Sequence, residues 1–351
     1  MFKKNILLFF LPFYLFSQAP AIDWIKPYGG TGLDLFRNMI KTQDGGMLIG
    51  GRSKSGISGN KTEPLKGYND DYWVLKLDLN GNIQWQKAVG GGGTWALTDI
   101  PGEQFTSASQ AIDGSYYLAG SSPSPVIEDK SEPRFGTTID YNDFWIVKLS
   151  ETGQKLWDRT LGGTDEDRCN AVAATPDGGC VAVGLSYSGL SGNKTESNRG
   201  INDYWVVKLS ATGSIEWQRT LGGIGSEVAN DVYANADGSI LIAGNSNSDI
   251  SGDKTEPSKG GSDIWLIKLD ANGVLLWQKV LGGSGGDGVY AVSKTTNGYM
   301  LGCTSYSNIS GDKSENCRGN SDYWLIKIDE NATVIWDRTY GGNGLDYIWG
   351  M

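Results

Sequence analysis

The chain contains no histidine among its 351 residues. That absence removes Ser-His-Asp and Cys-His catalysis, His-ligated zinc and haem, and imidazole proton shuttling near neutral pH. Cysteine is scarce, with four in all: Cys169, Cys180, Cys303 and Cys317. None sits in a CxxC pair, which argues against a thiolate metal site. In an oxidising compartment one or two disulfides are expected to be open to them. Cys303 and Cys317 would close the long loop of the last repeat and are the better-placed pair, although the sequence fixes neither pairing. Positive charge is also short, 30 Lys and Arg against 40 Asp and Glu for a net charge of −10. Such a surface repels phosphate backbones and anionic lipid, so nucleic acid is not an expected partner. A neutral partner such as a glycan fits better, or a cationic one such as a metal ion or a basic protein. Acidic charge also keeps an exported protein soluble without any partner.

Long apolar runs are confined to one place. Lys3 and Lys4 precede the apolar residues 6–16, and Ser17-Gln18-Ala19 follows. The run is too short to span a bilayer and reads as a secretory signal peptide over residues 1–20. No cysteine near the cleavage region suggests a lipid anchor, and no later stretch suggests membrane insertion. The mature chain, 21–351, is expected to be soluble and secreted, at the cell surface or in the periplasm. Without the two lysines it carries 28 basic against 40 acidic side chains.

What the chain has in abundance is repetition. Asp71-Tyr72-Trp73 returns as Asp143-Phe144-Trp145, Asp203-Tyr204-Trp205, Asp263-Ile264-Trp265 and Asp322-Tyr323-Trp324, at spacings of 72, 60, 60 and 59 residues. Twelve positions after each third-position Trp stands another: Trp85, Trp157, Trp217, Trp277 and Trp336. A Gly-Gly pair follows each of these. Self-similarity at such a period marks a repeat architecture. The repeats fall at roughly 31–91, 92–163, 164–223, 224–283 and 284–342, with a partial sixth copy at 343–351.

The third copy shows the unit. Residues 170–175 read as a strand and Pro176-Asp177-Gly178-Gly179 as a turn; residues 180–185 read as a second strand. A polar stretch without helical periodicity then leads to strands over 204–209 and 214–221, split by Ala211-Thr212-Gly213. Four short antiparallel strands per repeat predict an all-β fold, a β-propeller of four-stranded blades. The third strand is apolar on both faces, as suits a blade packed between two neighbours. Eleven of the thirteen tryptophans are periodic. A Trp burying about 200 Å² contributes roughly 5 kcal/mol as an upper bound, so the series is read as structural, wedging the blades together. A fourth strand over residues 24–30 precedes the first full copy, and Gly344-Leu345-Asp346-Tyr347 echoes Gly32-Leu33-Asp34-Leu35 at the other end. The expected ring is therefore five-bladed or an incomplete six-bladed one. The apolar ending Tyr347-Ile348-Trp349-Gly350-Met351 suggests a truncated reading frame.

The stretch from Lys268 through Asp270-Ala271-Asn272-Gly273 to Trp277 resembles the tryptophan-docking hairpin of quinoprotein-type propellers. The whole unit is similar to a more specific family. Its elements are Gly-Gly, Asp-Gly-Gly, Ser-Gly-Asn-Lys-Thr-Glu, Asp-Tyr-Trp-Val-Val-Lys-Leu and Trp-Gln-Arg-Thr-Leu-Gly-Gly. They resemble exported repeat proteins of Bacteroidetes that the type IX secretion system often delivers, over residues 22–342. Some members of that family carry an endoglucanase label by homology. The C-terminal sorting domain they often carry has no match in this sequence.

Symmetry separates candidate sites from scaffold. Lys61/Glu63, Lys130/Glu132, Lys194/Glu196, Lys254/Glu256 and Lys313/Glu315 recur in the loop before the third strand and read as local polar ordering. The Asp before each third-strand Trp reads as a turn cap. An acid four residues past the Gly-Gly pair, at Asp34, Asp167, Glu227 and Asp287, enters the innermost strand. These carboxylates could converge on the axis and hold a hard cation such as calcium; strand capping is the plainer reading. The second copy breaks the pattern with extra residues that carry Trp95, Asp99 and Glu103. An aromatic beside carboxylates on an irregular loop is how a sugar platform would look, against a tolerated insertion with no role.

Two functions follow from this reading. One is a non-catalytic binding or scaffolding propeller for a glycan or an extracellular protein, with no cofactor unless calcium. The other is an endoglucanase-like glycoside hydrolase using two carboxylates, with Glu103 and Asp167 or Glu166 as the acids. A quinoprotein dehydrogenase shares the docking hairpin but expects a larger ring and a vicinal cysteine pair.

Overall fold

The computed structural model describes residues 22–67, 69–92, 102–138 and 141–351. They form a five-bladed β-propeller of twenty strands, four consecutive antiparallel strands to each sheet, with no helix among the described residues. The blades span 34–89, 104–161, 167–221, 227–281 and 287–340. In the third blade the strands are Asp167–Ala174, Cys180–Ser186, Asp203–Leu209 and Ile215–Leu221. The first begins three residues before the sequence expectation, at its acid.

Local chemistry explains each element. In the turn between first and second strands, Asp177 Oδ1 accepts from Thr175 Oγ1 (2.5 Å) and Gly179 N (3.0 Å). Gly178 takes φ +83°, which a side chain would strain. The third strands of the first three blades are buried along their whole length, which is why their sequences are apolar on both faces. Their one lysine reaches out of the core; Lys208 Nζ pairs with Asp177 (2.8 Å) and Glu216 (2.7 Å).

Packing between blades uses the two tryptophan series differently. The third-strand aromatic of one blade stacks on the third-strand Trp of the next. Ring centroids lie 5.0 Å apart for Tyr72–Trp145, 4.9 Å for Phe144–Trp205 and 5.1 Å for Tyr204–Trp265. Each of these indoles is buried and donates to the fourth strand of its own blade, as Trp205 Nε1 does to Gln218 Oε1 (3.0 Å). The fourth-strand Trp docks on the next blade's last turn. Trp85 donates to Glu151 O (3.0 Å), Trp157 to Ala211 O (3.0 Å) and Trp217 to Ala271 O (2.9 Å). Their rings lie against Gly153, Gly213 and Gly273 of those turns. In the last blade Ala332 holds the turn position at φ 62°.

All four cysteines are free. The expected Cys303–Cys317 bridge is not made. Cys303 is buried in the core between the fourth and fifth blades, while the Cys317 thiol donates to the carbonyls of Ser305 and Ser307 (both 3.1 Å).

Candidate functional site

The acid that opens each first strand belongs to a junction between blades. Asp34, Glu103, Asp167, Glu227 and Asp287 each accept the backbone N–H of the second glycine of the preceding Gly-Gly pair. The donors are Gly30 (2.7 Å), Gly91 (3.1 Å), Gly163 (2.7 Å), Gly223 (2.9 Å) and Gly283 (2.7 Å). Serines at the end of the second strand complete the shell. Ser53 and Ser55 serve Asp34, Ser122 and Ser124 serve Glu103, and Ser188 serves Asp167. Ser246 and Ser248 serve Glu227, and Ser307 serves Asp287.

Asp34, Asp167, Glu227 and Asp287, the acids named for calcium, each accept N–H and O–H donors in their own junction, and among the described residues no three His, Cys, Asp or Glu side chains form a metal group. Glu103 is a member of the repeated series rather than a residue peculiar to the insertion. It is 2% exposed, and burial raises its pKa. Asp167 is fully buried, and burial lifts its carboxyl to about 6. Glu166 is buried and takes hydrogen bonds from Asn142 N (3.1 Å), Asn142 Nδ2 (2.9 Å) and Arg168 Nε (2.6 Å). Glu103, Asp167 and Glu166, the acids named for a hydrolase, are thus all buried in the junctions. Trp95 and Asp99 lie outside the described residues.

A second buried group stands beside each junction acid. Lys61, Lys130, Lys194, Lys254 and Lys313 are all buried. Lys194 Nζ donates to Ser188 O (3.0 Å) and to Asn198 Oδ1. Each lysine feels the first-strand acid and the third-strand Asp of its blade. Burial nevertheless lowers Lys130 and Lys194 to about 8. The third-strand aspartates cap the loop with one oxygen, Asp203 Oδ2 accepting Arg199 N at 2.6 Å. The other oxygen of Asp71, Asp203, Asp263 and Asp322 is buried without a hydrogen-bond partner. Burial accordingly raises Asp71 to about 8, Asp143 to about 7 and Asp203 to about 6. The same lysine and the same pair of acids thus recur, buried, in each blade's junction.

Three residues beyond the acid, the same strand does something else. In every blade the ladder of the first strand slips by one residue at this point. The skipped residues are Arg37, Thr106, Asn170, Asn230 and Tyr290, and Trp349 stands three residues past Asp346 in the partial copy. A bulge leaves its residue unpaired and re-aims the side chain. Here all six line one cavity of about 530 Å³, to which all five blades contribute. Asn170 Nδ2 and Asn230 Nδ2 latch to the next blade through Ala229 O and Val289 O (both 2.8 Å). Tyr290 and Trp349 have ring centroids 6.1 Å apart. Phe36 and Arg52 also line the cavity, and no carboxylate does so among the described residues. Arg52 pairs with Asp70 at 3.4 Å, leaving its buried Nε without a partner. Arg37 and the Asp70-paired Arg52 are the charged side chains of the cavity among the described residues.

Sequence reasoning missed this ring. The available signal was variation at one fixed offset from the repeated acid, where the copies read Arg, Thr, Asn, Asn, Tyr and Trp.

No protein-family model matches the chain. Among curated proteins it is similar to the regulatory protein FlaEY of Caulobacter vibrioides. The two are 29% identical over 168 residues, 46% of this chain and 18% of that protein. Among solved structures it is similar to the Pan2 WD40 domain of Neurospora crassa, at 11% identity and a TM-score of 0.41 over 91% of this chain and 79% of that one. It is also similar to the Cps50 (Swd1) β-propeller domain of Myceliophteria thermophila, at 8% identity and a TM-score of 0.37 over 92% and 91% of the two chains.

Proposed function

We propose that this protein is a non-catalytic binding propeller, exported from its cell, whose axial face takes a glycan. The observation that carries the reading is the bulged ring. The fold repeats everything around it, while these positions differ from blade to blade and share one cavity. Apolar and aromatic walls with a few convergent polar groups are how small-ligand sites are built. Phe36, Tyr290 and Trp349 supply flat faces for sugar rings, and Asn170, Asn230 and Thr106 supply hydroxyl partners. Arg37 and Arg52 favour sugars that carry carboxylates. Export, and a place among the Bacteroidetes exported repeat proteins, rest on residues 1–20 and on the repeat motifs.

The test is affinity electrophoresis of residues 21–351 through neutral β-glucans and through carboxylate-bearing polysaccharides. Retardation is expected, stronger in the acidic gels and lost in Arg37→Ala/Tyr290→Ala. Unchanged mobility in every gel, with capture of a protein ligand at the same residues, would replace the glycan with a protein partner.

A further inference from the structure

The third blade differs from the other four at one place beside its buried lysine. Four residues past that lysine the copies read Leu65, Arg134, Asn198, Ser258 and Cys317. Of these side chains only the Asn198 carboxamide offers an acyl carbon to an amine. Lys194 is 3% exposed, and its Nζ donates to Asn198 Oδ1, so the amine stands at that carboxamide. The amide nitrogen is held separately, Asn198 Nδ2 donating to Ser186 O (2.7 Å). In the fifth blade Cys317 takes the corresponding place, its thiol at Ser305 O and Ser307 O (both 3.1 Å), with no side-chain carbonyl to present.

A buried acid completes the group. Ser186 is the ladder partner of Asp167. Ser188 joins acid and amine, its Oγ donating to Asp167 Oδ2 (2.9 Å) and its carbonyl accepting Lys194 Nζ (3.0 Å). The other oxygen, Asp167 Oδ1, is buried without a hydrogen-bond partner. Of the charges that act on Lys194, that of Asp167 is the strongest. Amine, carboxamide and carboxyl are thus gathered at the end of one strand. Burial holds Lys194 at about 8 and Asp167 at about 6, so near neutral pH a share of each is the free amine and the carboxylic acid.

We propose that Lys194 and Asn198 close an intramolecular isopeptide bond. Lys194 Nζ, as the free amine, attacks Cγ of Asn198 and forms the new C–N bond. The Cγ–Nδ2 bond breaks, and Nδ2 leaves as ammonia with the proton that Nζ sheds. Asp167 carries that proton from one nitrogen to the other. An amine and a primary amide become a secondary amide and ammonia, so the balance needs no oxidant or cofactor. The product removes a buried charge, which is costly unless fully paired. It also ties down the loop leading into the third strand, in a chain whose four cysteines are free. Lys194 titrates only in chains that have not closed the bond.

Tryptic mapping of the purified, denatured protein by mass spectrometry tests this. An open chain is cut after Lys194 and yields the peptides 169–194 and 195–199. The bond predicts a single peptide, 169–199, uncut at Lys194 and lighter by one ammonia. Asn198→Ala should restore the cut, and so should Asp167→Asn, with circular dichroism showing that both variants fold. Complete cutting at Lys194 in the unaltered protein, with 195–199 at full mass, would overturn the proposal. An ammonia loss that persists in Lys194→Arg would overturn it too, by assigning the loss to a cyclic imide at an asparagine.

Discussion

Asp167 and Asn170 stand three residues apart on one strand and answer to different constraints. Asp167 is enclosed by Gly163 N and Ser188 Oγ, and its position is an acid in every blade. Asn170 is bulged out of the ladder into the axial cavity, and its position changes in every blade but one. The junction must be built alike in each blade, because its carboxylate, lysine and glycines are buried and any orphaned charge is costly. The axis carries no such demand, so substitution there is free to follow a ligand. Repetition therefore follows the buried junctions in this molecule, and its local failure marks the proposed site.

Removing a junction charge should break this comparison most. Lys194→Ala removes a buried lysine and leaves its acceptor Ser188 O without that donor, and a loss of about 1–3 kcal/mol is expected in denaturant unfolding at pH 6. A change within the range of a surface substitution would show that the junction is hydrated.

A middle-sized effect concerns pH. Asp71 (about 8), Asp143 (about 7), and Asp167 and Asp203 (both about 6) are raised by burial above the ordinary carboxylate value. The native state then holds protons that the unfolded chain releases. Their stabilising contribution is complete below about pH 4 and is lost as pH rises through the 6–8 window. The melting temperature should fall between pH 5 and pH 8, and Asp71→Asn should flatten that fall. Lys130 and Lys194, lowered to about 8, act with the opposite sign, their penalty easing between pH 8 and about 10.4. A melting temperature flat from pH 5 to pH 8 would place these acids in contact with water.

The smallest stability effect belongs to the axis. Arg37→Ala is expected to shift unfolding by less than about 0.5 kcal/mol, since the side chain is exposed. Addition of EDTA should leave the melting curve unchanged, because the acids once expected to bind calcium already hold N–H and O–H donors.

The period, the strand order and the structural role of the Trp series were legible because each strand meets the same neighbours five times, so packing writes the same residues. The Gly-Gly offset pointed to Asp34, Asp167, Glu227 and Asp287, but not to Glu103. In the second copy residues 92–102 intervene between Gly91 and the acid, where the other copies have three, and Glu103 was therefore grouped with Trp95 and Asp99. The bulges were not legible, since a one-residue slip in a ladder leaves no compositional mark. The Cys303–Cys317 pairing followed sequence proximity, while the pleat turns Cys303 into the core between blades.

The most direct test runs Glu103→Gln and Arg37→Ala/Tyr290→Ala beside the unaltered protein in the polysaccharide gels, with melting curves for all three. The account predicts that Glu103→Gln melts earlier and is still retarded, while the axial pair melts as before and runs free. Loss of retardation in Glu103→Gln at a temperature where it remains folded, with the axial pair still bound, would contradict it.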